Sequence, residues 1–137
     1  MKIYLAARYS FRAEIKGYAK QLETLGFEIT SSWLNQRAGA DNDMEKPDYK
    51  LKKFARRDYD DVARADCVIL FTKEPENKRG GHHVEFGIGY ALKKRMIVVG
   101  KKENIFHYLE EVTHYNTFEE LLKVAEENRK HDYLYLG

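Results

Sequence analysis

The chain has 137 residues, of which 34% are charged and 43% hydrophobic, and a formal net charge of +2. That length suits a single domain with its own core, and the near-balanced charge argues against a nucleic-acid or membrane-surface partner. The lone cysteine, Cys67, excludes a disulfide framework and fits a reducing cytoplasm. Met1 runs directly into an apolar strand, and no stretch of about 18 apolar residues occurs, so neither a leader nor a membrane span is expected.

Hydrophobic periodicity predicts alternating strands and helices. Residues 3–7 read as a first strand and residues 10–25 as a helix with the stripe Phe11, Ile15, Tyr18, Leu22 and Leu25, stopped by Gly26. A second strand follows at 27–30. Residues 35–47 are polar and patternless, a long surface loop of the kind that serves as a lid. Pro47 opens a second helix to about residue 65, whose basic run Lys50, Lys52, Lys53, Arg56 and Arg57 reads as a solvated face. The third strand spans 67–71, a helix 83–93, and the fourth strand 96–99, closed by Gly100. A short apolar turn at 105–109 precedes a last strand near 112–115. Thr117 and Glu120 form a capping box for a final helix with the stripe Phe118, Leu121, Leu122 and Ala125. The tail, 132–137, has no helical period.

Such alternation implies right-handed crossovers onto a parallel sheet covered on both faces. The expectation is an α/β, flavodoxin/Rossmann-like three-layer sandwich: one domain over 1–137 with a five-stranded, mostly parallel sheet of order 2-1-3-4-5. Ligands of such sheets bind beyond the carboxyl ends of the strands, where the strand order reverses. Residues 8–12 and 72–85 line that cleft. The second segment carries Arg79-Gly80-Gly81-His82-His83-Val84-Glu85-Phe86-Gly87. Gly80 and Gly81 permit a tight turn and close approach of the backbone to a ligand. Glu85 is expected in the first turn of the following helix, held ionised by the helix N-terminus. Gly87 and Gly89 are expected to let that helix pack closely on the sheet.

The helix over 47–65 has the apolar stripe Leu51, Phe54, Ala55 and Val62, and Asp58 fills the gap in it. An acid facing inward needs a partner; one reading pairs it with Arg8, Arg12 or loop N–H groups, the other gives it a role in the cleft. Asp60 and Asp61 lie off the stripe and read as solvent acids, and Asp66 marks the helix-to-strand corner. Two carboxylates around one cleft point to glycosidic chemistry, in which one stabilises or attacks the anomeric carbon and the other positions a hydroxyl or moves a proton.

Three segments together, Met1-Lys2-Ile3-Tyr4-Leu5-Ala6-Ala7-Arg8-Tyr9-Ser10, Arg57-Asp58 ahead of Ala65-Asp66-Cys67-Val68-Ile69-Leu70, and Gly80-Gly81-His82-His83-Val84-Glu85-Phe86-Gly87-Ile88-Gly89-Tyr90-Ala91, resemble the nucleoside 2-deoxyribosyltransferase superfamily, which includes 2'-deoxynucleoside 5'-monophosphate N-hydrolases. The resemblance implies the flavodoxin-like fold, Glu85 as the nucleophile that attacks the sugar, Asp58 beside it, and Ala7, Arg8, Tyr9 and Ser10 as contacts to base, sugar or phosphate. Ala7 stands where the family usually has glycine. Six positions before the nucleophile, where transferases carry an aspartate and the monophosphate hydrolases a phosphate-binding serine, this chain has Arg79. An arginine there, near Arg8 and Arg12, suits a phosphate. The expected activity is therefore hydrolysis of a (2-deoxy)nucleoside 5'-monophosphate through a Glu85 glycosyl-enzyme, with Tyr9 and Trp33 packing against the base, Tyr4 bonding Glu85, and Gly80 and Gly81 in the site. Base exchange between deoxynucleosides, cleavage of a nicotinamide dinucleotide and a non-catalytic nucleotide-binding module are the alternatives. A phosphate-loop kinase and a dinucleotide dehydrogenase are excluded by motif.

No cofactor is expected. His82 and His83 have no carboxylate or third histidine at ligand spacing in the sequence, so no metal site is expected either. The resemblance implies a homodimer or larger, with the 104–108 turn or the 133–137 tail completing a neighbour's site. No nucleic-acid or membrane partner and a cytoplasmic location complete the reading.

Overall fold

The computed structural model describes residues 1–35, 46–73 and 80–130. The sheet consists of β1 (Lys2–Ala6), β2 (Glu28–Ile29), β3 (Cys67–Phe71), β4 (Arg95–Val99) and β5 (Val112–Tyr115). All four pairings are parallel and the order is β2-β1-β3-β4-β5, as periodicity predicted. The helices are α1 (Arg12–Thr24), α2 (Asp48–Ala63), α3 (Gly81–Ala91) and α4 (Phe118–Lys130). Short 3-10 turns occupy Tyr9–Phe11, Ser32–Asn35 and Ile105–Tyr108. The expected lid lies largely at 36–45, and Arg79 and the tail from 131 onward likewise fall outside the described residues. Among the described residues no helix is long and apolar enough to cross a membrane.

The central strand β3 is buried along its whole length, which is why Cys67, Val68, Ile69, Leu70 and Phe71 form an unbroken apolar run. On one face Tyr18 of α1 stacks on Phe118 of α4 with ring centroids 4.1 Å apart, and Phe71 of β3 packs against both. On the other face α2 and α3 pack together, and α3 lies on β1, β3 and β4. Gly89 sets the approach of α3: a Cβ there would stand 2.6 Å from Val68 Cγ2. Gly87 is exposed with open space around it, so the close-packing explanation applies to Gly89 alone. The α4 cap forms from Thr117, whose Oγ1 accepts the Glu120 N–H at 3.3 Å, while Glu120 Oε2 accepts the Asn116 N–H at 3.2 Å.

β2 is shorter than the four residues expected. Beyond Ile29 the chain satisfies β1 with side chains: Ser31 Oγ accepts the Leu5 N–H at 2.6 Å, and Trp33 Nε1 donates to the Leu5 carbonyl at 2.8 Å. Those bonds replace ladder pairs and bury Trp33, which is only 5% exposed. Asp61 corrects the expectation of a solvent acid. It is 5% exposed, its Oδ2 accepts the Ser32 N–H at 2.9 Å, and Oδ1 accepts from Arg64 Nη2 at 3.1 Å and Nε at 3.3 Å. The last turn of α2 packs against the segment leaving β2, so a position off the apolar stripe is covered by loop. Asp66 is the expected corner pin, with Oδ2 accepting the Lys2 N–H at 2.8 Å.

Candidate active site

Three elements on one face of the sheet converge on Glu85. Along α3, His82, Phe86 and Gly89 form the buried stripe, and Glu85, three residues after His82, sits beside it. The turn into α3 requires a glycine at Gly80, whose φ is +74°. Gly81 is already helical and exposed. Because α3 starts at Gly81, two residues earlier than expected, Glu85 lies in its second turn and beyond strong influence of the helix N-terminus.

The consequence reverses the expected electrostatics. Glu85 is half-buried, and its carboxyl is pushed up from 4.5 to about 8, first by desolvation and then by the charge of Asp58 and a hydrogen bond with it. Tyr4 and Arg57 act in the opposite direction. Asp58 lies on the inward side of α2, half-buried. The adjacent Arg57 pairs with it, with Nη2 2.9 Å and Nε 3.0 Å from Oδ1. Arg57, expected on the wet face, is half-buried for this reason. Tyr4 is fully buried on β1. Its hydroxyl has no acceptor in hydrogen-bond geometry but faces Glu85 closely, and desolvation first, then Glu85, holds the phenol well above its usual range. A carboxyl pair sharing a proton between a cation and a phenol can attack an electrophilic carbon and move one proton without outside help.

The other expected contacts are distributed around the carboxyl ends of the strands. Ala7 is buried. Arg8 is 7% exposed, donates through Nη1 to the Lys73 carbonyl, and has Nη2 3.9 Å from Glu103 Oε2. Tyr9 is half-buried, its ring 6.3 Å from that of Trp33 and 5.7 Å from the Arg12 guanidinium, while Ser10 is exposed. Trp33 lies in the core with its N–H used by Leu5, so it backs Tyr9 and presents no open face. The structure thus brings Tyr4, Asp58 and Glu85 together, with Arg8, Tyr9, Ser10 and Gly80 around the rim. Sequence spacing missed Glu103 and His107, which the loop after β4 carries to His82 and His83; the signal was the pairing of a glutamate and a histidine four residues apart next to a strand's carboxyl end.

An open parallel α/β sheet with a coupled carboxyl pair at its switch point belongs to the class of small-molecule enzymes that work beyond the strand ends. The family model for nucleoside 2-deoxyribosyltransferase matches residues 3–129, and the chain belongs to that family of N-glycosidic-bond enzymes. Among solved structures it resembles Clostridium botulinum CMP N-glycosidase, BcmB, with a TM-score of 0.63 and 21% identity over 93% of this chain and 99% of that one. It also resembles the 2-deoxyribosyltransferase of Bacillus psychrosaccharolyticus, with a TM-score of 0.63 and 19% identity over 89% of this chain and 90% of that one. These likenesses establish the fold. No curated protein matches the sequence significantly.

Proposed function

We propose that the protein hydrolyses the N-glycosidic bond of a (2-deoxy)nucleoside 5'-monophosphate through a covalent Glu85 intermediate. The observation that carries this reading is the Glu85–Asp58 carboxyl pair set against Tyr4. Glu85, with a proton affinity raised to about 8, enters the reaction as the acid at neutral pH. As the base departs, that proton passes through Asp58 to the leaving nitrogen while the Glu85 oxygen bonds to the anomeric carbon. The Tyr4 hydroxyl, otherwise without an acceptor, donates to the ionising carboxylate. Water then attacks the same carbon, the sugar phosphate leaves with a new hydroxyl, and its displaced proton returns to Glu85. Protons and bonds balance over the two steps, and the oxocarbenium-like transition states of each lie against carboxylate charge.

The preference for a monophosphate rests on Arg79 standing where transferases have an acid and on exposed Ser10 next to Arg12 at the rim. Tyr9 is the aromatic available to a base. The turn Ile105–Tyr108 exposes Ile105 (78%), Phe106 (59%) and Tyr108 (66%), which supports a homo-oligomer; a monomer by light scattering at working concentration would remove that part.

The test is base release measured by chromatography from a panel of nucleosides and 5'-monophosphates, with wild type and Glu85→Ala, with and without a free acceptor base. Release from monophosphates that the variant lacks is the expected result. New nucleosides formed only with acceptor would make the protein a base-exchanging transferase, and no turnover on any substrate would leave a nucleotide-binding module.

A further inference from the structure

Next to the carboxyl pair, and not used by the chemistry above, is a second cluster. His82 and His83 at the start of α3 meet Glu103 from the loop after β4, and one ligand atom from each of the three lies within 4.8 Å of the others. The His82 and His83 rings are 4.1 Å apart, and His83 Nε2 is 3.5 Å from Glu103 Oε1. We propose that His82, His83 and Glu103 form a binding site for a borderline divalent transition cation such as Zn2+, Co2+ or Ni2+.

The separation of His83 from Glu103 comes close to the ~3.3 Å edge of a tetrahedron built on zinc bonds of about 2.0–2.1 Å. A second observation is independent of that distance. His82 Nε2 and Glu103 Oε1 are both buried and have no hydrogen-bond partner, and His82 is only 5% exposed. Buried polar atoms are rarely left unsatisfied, and two of them on residues of one cluster point to a missing shared partner. Two imidazoles and one carboxylate select zinc-like ions over magnesium or calcium, which favour oxygen sets.

The surroundings prepare these ligands. His107 Nδ1 accepts the Glu103 N–H at 2.9 Å, and Asn104 Oδ1 accepts the Phe106 N–H at 2.9 Å, which fixes the loop that carries Glu103. Arg8 approaches the other oxygen, Oε2, at 3.9 Å, leaving Oε1 for the cation. Three protein ligands leave a fourth position for water, the ligand count of exchangeable sites and not of closed structural ones.

The test needs no turnover. Chelator-treated protein is titrated with Co2+ and Zn2+, following the visible Co2+ absorption for tetrahedral coordination and calorimetry for stoichiometry. One cation per chain is expected. Glu103→Gln and His83→Gln should each weaken binding by about 100-fold or more, beyond the about 10–100-fold typical of outer partners such as His107. Glu111→Gln, exposed and on the far side of the loop, should bind as wild type. Because a ligand variant can fail to fold, thermal unfolding of wild type with and without Zn2+ gives a second reading: the midpoint rises if the native state alone binds. No stoichiometric binding with no rise in midpoint, or binding equally tight in folded Glu103→Gln and His83→Gln, overturns the site.

Discussion

Replacing Glu85 with glutamine separates the raised carboxyl from every other source of pH dependence. In the folded protein Glu85 binds its proton up to about pH 8, whereas the unfolded chain loses it near 4.5. Between those values the native state holds more protons than the unfolded state, so the stabilisation is complete below 4.5 and is lost as pH rises through 8. At about 1.4 kcal/mol per tenfold change in proton affinity, the full effect reaches about 5 kcal/mol. The useful window is narrower. His82 and His107 are both lowered to about 4, so their contributions change mainly below about pH 7 and alike in both proteins, and Cys67 and Tyr4 are raised and titrate only at alkaline pH. From about pH 6.5 to 8.5, therefore, Glu85 with its coupled partner Asp58 accounts for a fall of about 2 kcal/mol. The assay is urea unfolding followed by the fluorescence of the single, buried Trp33, in chelator, for wild type and Glu85→Gln. Wild type should lose about 2 kcal/mol relative to the variant across that window. Parallel pH–stability curves for the two proteins would refute the assignment of a neutral, half-buried Glu85, and with it the account of where the leaving base acquires its proton.

Two further outcomes are expected. Tyr4→Phe removes a buried hydroxyl that has no acceptor, so urea stability should change by less than about 1 kcal/mol, while turnover with the substrate found by base release should fall about tenfold or more; unchanged turnover would take Tyr4 out of the reaction. Asp61→Ala should cost about 2–4 kcal/mol, since it strips the Ser32 N–H and Arg64 of a buried carboxylate, whereas Asp60→Ala, one residue away and exposed, should stay within about 0.5 kcal/mol. Equal losses in urea midpoint would show that the burial of Asp61 does not matter.

The strand order and the parallel sheet were legible because β3 and β4 are continuous apolar runs and the helices between them carry clear stripes. The switch point of the sheet put Glu85 at the cleft, and the gap in the α2 stripe turned Asp58 inward. What it could not supply was anything decided by a neighbour far along the chain. The start of α3 depends on Gly80 adopting a positive φ, a choice open to Gly81 as well, and that two-residue difference moved Glu85 from an ionising helix terminus to a desolvated second turn. Asp61 looked solvated because the residues covering it, around Ser32, lie almost 30 positions earlier. Arg57 looked like one more surface cation until Asp58 and Glu85 supplied its reason to turn inward. Glu103 reaches His83 only because β4 runs parallel to β3 and delivers its following loop to the same edge.

Cys67 opens the central strand, fully buried, with burial pushing its thiol up to about 12. A thiol so protected reacts only when the middle of the sheet comes apart. The protein therefore carries its own clock for rare opening events: under native conditions the rate of thiol modification reads how often β3 separates from β1 and β4. The same protection leaves a cysteine placed at a surface position as the sole reactive handle on the folded molecule, so probes can be attached along the cleft rim without first removing the natural thiol.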